Sequence, residues 1–249
     1  MRTLGHLGAR YFDLDDVEHA VLAYAEAEAI FQELEREEYP PNPDLGTMAI
    51  MALRRAEIAM AQGRYGDAKI HANDSVRHYE AAGNRWSKVN PLILTGSACL
   101  QLGQYDQGRR HFLDAQLIAD EWGHPWAMAE TRYFLSVADL KTGNLMRALE
   151  YCRESLEVAL SAPDYNIVAG DLGVAAAIWA KHGQADRTAR LSGAAQVLYK
   201  RQGRNPRVDC SLVTLLPGWQ DGPDQEAIAA AFEAGKTMSV EQAVAFALG

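Results

Sequence analysis

Histidine and cysteine side chains carry much catalytic and metal chemistry, and this sequence spaces them too widely for either. His71 and His78 can share one helical face, but no third ligand of matching spacing lies close in the sequence. Cys99 and Cys152 fall at packing positions of the repeat described below, which favours small buried hydrophobes over nucleophiles. No Ser, Cys or Lys stands in a motif beside its own base. We therefore expect a protein that is not an enzyme and that uses no metal ion or cofactor.

A basic segment is the second group of residues that could do chemistry. Residues 181–207 carry seven basic side chains and one acidic side chain, in a chain of formal net charge −9. Two interpretations stay open: a docking site for an acidic partner, a phosphorylated ligand or nucleic acid, and a solvated face compensated by the acidic residues that follow. Because the chain is acidic overall and few aromatic residues interleave with the basic ones, we expect no direct binding of nucleic acid. The predicted basic patch comprises Arg187, Arg190, Lys200, Arg201 and Arg204.

A period of 40 residues organises the chain. It is marked by Gly63, Gly103, Gly143 and Gly183, and a small residue follows each of the first three after a short turn, as Ala68 does in its copy. Glycine closes a helix at low cost because it adopts the left-handed conformation. A fixed period of about 20–50 residues is typical of helical repeats and solenoids. The spacing predicts two helices per repeat.

Composition agrees with a helical fold. The sequence contains 41 alanines among 249 residues, and alanine is the best helix former. It has no apolar run long enough to span a membrane and no signal peptide, so we expect no membrane association. Three widely spaced cysteines fit a reducing compartment. We expect an all-α protein of the cytoplasm.

The earliest copy resembles the tetratricopeptide (TPR) repeat. The matching residues are Leu7, Gly8, Tyr11, Ala20, Tyr24 and Ala27. The resemblance implies an all-α, right-handed TPR-like superhelix (α-solenoid) of about five helix pairs with a C-terminal helical cap. We expect repeats over residues 1–203, an irregular linker over 204–222 and a capping segment over 223–249. Ser239 and Gln242 form a capping-box pattern that predicts a last helix over 239–248.

The end of the repeat region resembles that of MalT-like and LuxR-type multidomain bacterial transcriptional regulators. The residues concerned are Ala-Arg-Leu-Ser-Gly-Ala-Ala at 189–195 and Gly-Lys-Thr-Met-Ser-Val-Glu-Gln-Ala-Val-Ala at 235–245. In such regulators a P-loop ATPase and a helix-turn-helix flank the repeats, and neither motif occurs in this sequence. The first repeat starts at residue 4 without a preceding cap, so we expect a piece of such a regulator. The alternative is a free-standing TPR adaptor that mediates protein–protein interaction.

In TPR proteins the first helix of each repeat lines the concave face, where ligands bind. By this resemblance we expect a protein or peptide partner, or a small-molecule inducer, to bind there and to signal to attached effector domains. Monomer and homodimer both stay open. The predicted binding residues are Arg54, Glu57, Met60, Asn90, Ser97, Glu130 and Tyr133.

Tryptophans mark the joints between repeats. Trp122 and Trp126 bracket a turn at Gly123-His124-Pro125, and Trp86 has the equivalent place one repeat earlier. Tryptophan at such a joint either packs against the neighbouring repeat or anchors a partner, and packing is the interpretation we favour.

Overall fold

The computed structural model of the chain describes residues 44–161, 164–202 and 211–249, together with eight helical positions between 19 and 33. The six residues on which the resemblance to the TPR repeat rests lie outside the described residues. Every α-helix and 3-10 helix that the structure describes lies in one of two compact units, Met1–Gly123 (unit 1) and His124–Gly249 (unit 2). No strand occurs among the described residues, so the predicted all-α class is confirmed.

Residues 44–123 of unit 1 form two helix pairs with a short connecting helix. Each pair consists of a first and a second helix that pack against each other, as the repeat predicts. The elements are α1 (Leu45–Ala61), α2 (Tyr65–Ala81), a 3-10 helix (Trp86–Lys88), α3 (Val89–Gln101) and α4 (Tyr105–Trp122).

Unit 2 contains two further helix pairs and a C-terminal group of shorter helices. The pairs are α5 (Pro125–Lys141) with α6 (Leu145–Ser161), and α7 (Tyr165–Lys181) with α8 (Ala185–Gln202). The C-terminal group consists of α9 (Leu212–Leu215), a 3-10 helix (Trp219–Asp221), α10 (Gln225–Lys236) and α11 (Val240–Leu248). Part of the segment predicted to be an irregular linker is therefore helical.

The four glycines of the period close the first helix of each described pair in the same way. Gly63, Gly103, Gly143 and Gly183 have φ angles of 71°, 72°, 79° and 71°. After each glycine the chain makes the same backbone hydrogen bond, from the Arg64 amide to the Ala59 carbonyl in the first copy (2.8 Å). This is a Schellman motif, which satisfies carbonyls at the helix end. The predicted helix ends are confirmed.

Small residues let the helices of a pair approach closely. In unit 1, a Cβ added at Gly96 would lie 2.4 Å from the Phe112 ring, and one at Gly108 would lie 2.8 Å from the Gly96 carbonyl oxygen. Ala68 and Ala148, at the position equivalent to Gly108, are fully buried. The small residue of each copy is thus a contact point between helices.

The same side-chain bond recurs in both units. The Ser75 hydroxyl donates to the Ala49 carbonyl oxygen in unit 1 (2.8 Å). The Ser155 hydroxyl donates to the Ala129 carbonyl oxygen in unit 2 (2.9 Å). Both serines are fully buried, so each bond satisfies a hydroxyl that water does not reach. These pairs lie two periods apart, which shows that the repeat extends to polar contacts.

The C-terminal helices pack on α8 through two glycines. A Cβ at Gly235 of α10 would lie 2.0 Å from the Arg190 carbonyl oxygen, and one at Gly193 of α8 would lie 2.2 Å from the Phe232 carbonyl oxygen. Ser239 and Gln242 form the predicted capping box at the start of α11, which confirms the last helix. No described helix is long and apolar enough to cross a membrane.

Prolines occur in the first turn of two helices. Pro125 is the first residue of α5, a position where its missing amide costs no hydrogen bond. Pro91 is the third residue of α3. The first-turn amides of a helix have no acceptor within the helix, so proline is tolerated there.

Candidate functional site

Five predicted binding residues lie in unit 1, on the first helices of its two described pairs. We call this set the unit 1 polar face: Arg54, Glu57 and Met60 on α1, and Asn90 and Ser97 on α3. Asn90 is exposed and the other four are half-buried. Glu57 and Ser97 occupy equivalent positions one period apart, and α1 contacts α3. The structure therefore places the first helices of the two repeats in contact in this unit.

An ion pair dominates the charge of the unit 1 polar face. The Arg54 guanidinium and the Glu57 carboxylate lie 2.6 Å apart, with side-chain exposures of 22% and 38%. Burial raises the pKa of the Tyr79 phenol on α2, and the positive charge of Arg54 opposes that shift in part. The phenol therefore stays neutral near neutral pH.

Two buried polar atoms on this face have unused hydrogen-bonding capacity. Neither Arg54 Nε nor Ser97 Oγ has a hydrogen-bond partner among the described residues. Buried polar groups are usually satisfied, so each atom is an unmet hydrogen bond beneath the surface, which a ligand or water reaches only when a neighbouring side chain moves. At the surface, the face presents a partly exposed ion pair and the exposed Asn90, which can hydrogen bond a polar chain.

The two predicted binding residues of unit 2 are buried. Tyr133 is 1% exposed, and its ring lies where a Cβ at Gly170 would approach to 2.7 Å. Tyr133 is therefore a packing residue between α5 and α7. Glu130 is 7% exposed and also lies in the interior of the unit.

Two arginines of the basic segment are engaged within unit 2. The Arg187 guanidinium donates to the Phe246 carbonyl oxygen of α11 (2.7 Å) and stacks on the Trp179 ring at 3.9 Å. Arg190 forms a bidentate pair with Asp186 (2.9 and 3.1 Å), which holds the pKa of its guanidinium above its usual range. Arg190 is compensated by Asp186 of its own helix and not by the acidic residues that follow the segment. Arg187 is held by a main-chain carbonyl and a ring, which neither interpretation predicts.

The remaining members of the predicted basic patch differ in their positions. Lys200 and Arg201 are exposed in the last turn of α8, where cations favour the negative end of the helix dipole. Arg204 lies outside the described residues.

A buried polar cluster in unit 2 was missed by sequence reasoning. Asp171 of α7 is fully buried, and its carboxyl oxygens have no hydrogen-bond partner among the described residues. Burial raises the pKa of Asp171 well above its ordinary range, opposed in part by the nearby Ser155 and Cys152 side chains. The Cys152 thiol donates to the Asp171 main-chain carbonyl (3.3 Å), and burial also raises the pKa of this thiol. The sequence does contain a sign of this cluster, because Asp171 is the single charged residue in the apolar stretch from Ile167 to Ile178.

The cysteines and histidines carry no metal site among the described residues. Cys99 and Cys152 are free and fully buried, which confirms that they pack as small hydrophobes. Within the described part of the chain no three His, Cys, Asp or Glu residues are grouped so that they could hold a metal ion. Cys210 lies outside the described residues.

Two tryptophans of the predicted joints stack on each other in unit 1. Their ring centroids lie 6.2 Å apart, with an angle of 28° between the planes of Trp86 and Trp122. Both stay partly open to solvent, with exposures of 41% and 45%. An ion pair between Arg85 and Glu121 (2.8 Å) joins the same two segments. The stack therefore ties the end of α4 to the short 3-10 helix.

Comparison with known proteins gives the class of fold. No family model and no curated protein matches the sequence. Among solved structures, the chain is similar to the apo form of RapI, a TPR-like helical regulator of Bacillus, with a TM-score of 0.56 and 14% sequence identity. The similarity covers 91% of this chain and 60% of the RapI chain. The chain has a TPR-like helical-repeat fold, as the 40-residue period predicts.

Proposed function

We propose that this chain is a non-catalytic binding module that takes a peptide or protein partner on the unit 1 polar face. The observation that carries the proposal is the group of solvent-accessible polar side chains, Arg54, Glu57 and Asn90, on neighbouring first helices of a TPR-like fold. An extended peptide offers amide donors to Glu57 and carbonyl acceptors to Arg54 and Asn90, and the half-buried Met60 adds apolar contact. A small polar inducer with the same acceptors would be recognised by the same atoms.

We further propose that the module belongs to a bacterial transcriptional regulator. Two observations support this: the resemblance of residues 189–195 and 235–245 to MalT-like and LuxR-type regulators, and the regulator RapI as a structural neighbour. In this proposal the module acts in the cytoplasm and signals to attached effector domains, and the module itself makes no contact with DNA. A gene that encodes neither an ATPase nor a helix-turn-helix beside this segment would contradict the regulator and favour the free-standing adaptor.

The binding proposal is tested with peptides selected from a random library on the purified chain. Arg54→Ala with Glu57→Ala removes the charges of the face. The matched control is Arg64→Ala with Asp67→Ala, because Arg64 and Asp67 form an ion pair of the same spacing and similar length (2.7 Å) in the same unit. We expect selected peptides to lose about tenfold or more in affinity for the first variant, the effect of removing a buried charged hydrogen bond, and little for the control. Equal affinities for both variants would contradict the proposal.

A further inference from the structure

An open cavity lies in the C-terminal part of unit 2, between α9, the 3-10 helix that follows it, and α10. Its volume is about 310 Å³. Cavities of about 300 Å³ and more are of the size that binds ligands in proteins. We call it the α9–α10 cavity. It is lined by Leu212, Val213, Trp219, Ala229, Phe232 and Glu233.

The walls of the α9–α10 cavity are apolar and fixed in place. Leu212 belongs to a buried cluster with Ala189 of α8 and Ile228 of α10, and Trp219 and Phe232 pack against that cluster. The close crossing of α8 and α10 through glycines holds α10 against the unit. The cavity is therefore preformed, which lowers the entropic cost of filling it.

One wall of the cavity faces solvent. Val213 is 63% exposed, an unusual position for a β-branched apolar side chain beside an open cavity. Apolar surface that remains exposed next to a rigid concave site gains free energy when a partner covers it.

The rim of the cavity is acidic. Glu233 is the single charged residue among the lining residues, and its side chain is 67% exposed. Glu226 lies two turns earlier on the same face of α10 and is also exposed. Lys236 pairs with Glu233 (2.6 Å) and stacks on the Phe232 ring (4.7 Å). The helices that build the cavity, within residues 211–236, carry four acidic side chains and one basic side chain, Lys236, so their net charge stays negative although Glu233 is paired.

We propose that the α9–α10 cavity binds a cationic amphipathic segment of a partner protein. An apolar side chain of that segment enters the cavity between Val213 and Phe232. Its Lys or Arg side chains face Glu233 and Glu226, where charge complementarity selects them. The site is separate from the unit 1 polar face, so this inference goes beyond the proposed function and each can fail without the other.

The test uses the full chain and two synthetic helical peptides with the same apolar stripe. One peptide carries Lys on its polar positions and the other carries Glu. Affinity is measured by fluorescence anisotropy at low and at high ionic strength. We expect the cationic peptide to bind and the anionic peptide to bind at least about tenfold more weakly. Added salt should lower the affinity for the cationic peptide.

Variants locate the binding. Val213→Ser removes an apolar wall from an exposed position, and we expect about a tenfold loss of affinity. Glu233→Lys reverses the charge of that residue at the rim. We expect it to lower the affinity for the cationic peptide about fivefold or more. Glu157→Lys is the matched control, because Glu157 is exposed on α6 and the change in net charge is the same.

Three results would overturn the proposal. The first is equal affinity for the cationic and anionic peptides, and the second is an equal effect of Glu233→Lys and Glu157→Lys. The third is self-association of the chain that Val213→Ser abolishes while neither peptide binds, because the occupant would then be a second copy. Sedimentation of the free chain at several concentrations measures this last outcome.

Discussion

The first helix of a repeat has different surroundings in the two units. In unit 1, α1 leaves Arg54, Glu57 and Met60 half-exposed. In unit 2, α7 is buried at every position from Ile167 to Ile178, because it contacts α5, α6, α8 and α11. The repeat pattern thus determines where a helix forms. The helices packed around it determine whether its side chains are exposed or buried.

Two neighbouring repeats of unit 2 also differ at one equivalent pair of positions. Asp139 and Trp179 lie one period apart, as do Arg147 and Arg187. Arg147 pairs with the buried Asp139 carboxylate at 2.8 Å, whereas Arg187 stacks on the Trp179 ring at 3.9 Å. The second contact lies under α11, so an arginine at this position helps to hold the C-terminal helix.

The largest expected effect concerns the crossing of α8 and α10. Gly235→Ala puts a Cβ 2.0 Å from the Arg190 carbonyl oxygen, which main-chain atoms cannot avoid without moving a helix. We expect a loss of about 3 kcal/mol in the free energy of unfolding, measured by urea denaturation. Gly66→Ala on α2 of unit 1 is the control, since its Cβ meets nothing within 4 Å. Similar losses for both variants would contradict the packing role of Gly235.

A second prediction compares aromatic packing in the two units. Gly170→Ala crowds the Tyr133 ring (2.7 Å) in unit 2, and Gly96→Ala crowds the Phe112 ring (2.4 Å) in unit 1. We expect each variant to lose roughly 1–3 kcal/mol in the free energy of unfolding. Adding Tyr133→Leu to Gly170→Ala should restore part of the loss, because the two residues share one contact. If the losses in free energy of unfolding are additive in the double variant, Tyr133 and Gly170 do not share a contact.

These packing residues show how far the sequence could predict the structure. The helix pairs followed from glycines at a fixed spacing, because the left-handed turn is a local requirement. The burial of Tyr133 was missed because it depends on Gly170, a residue of another helix. The engagement of Arg187 was missed because its acceptor, the Phe246 carbonyl, lies 59 residues further along the chain. Local requirements are readable from sequence, and contacts between distant helices are not.

A third prediction concerns Asp171, the buried acid of α7 in unit 2. The equivalent positions of α1 and α3 in unit 1 hold Met51 and Pro91. The raised pKa of Asp171 means that the unfolded chain ionises this group at lower pH than the folded chain does. Stability contributed by its protonated form is complete below the ordinary pKa of Asp, about 4, and falls as the pH rises towards the folded pKa.

Asp171→Asn keeps the shape and removes the ionisation. We expect it to be more stable than the natural chain near neutral pH, on the order of 1–3 kcal/mol, and the difference to vanish in acid. Thermal unfolding over a pH series measures both. A difference independent of pH would contradict the account. Asp164→Asn at the partly buried N-cap of α7 controls for the loss of one charge, because asparagine caps a helix as well as aspartate does.

A smaller effect is expected at the arginine under α11. Arg187→Ala removes the stacking on Trp179 and the bond to the Phe246 carbonyl, at a cost of about 1 kcal/mol. Hydrogen exchange should show faster opening of α11 with α5 and α6 unchanged. Arg187→Lys should restore little, because an ammonium lacks the planar stacking surface. Restoration of full protection by lysine would show that charge alone holds the helix.

The central claim is that partners bind α1 and α3, the first helices of unit 1, and not α7, the buried first helix described in unit 2. Nuclear magnetic resonance of the isotope-labelled chain with a library-selected peptide tests it directly. The account predicts shifts concentrated at Arg54, Glu57 and Ser97, and their loss in the Arg54→Ala, Glu57→Ala variant. Shifts confined to α5–α8, with none on α1 or α3, would contradict it.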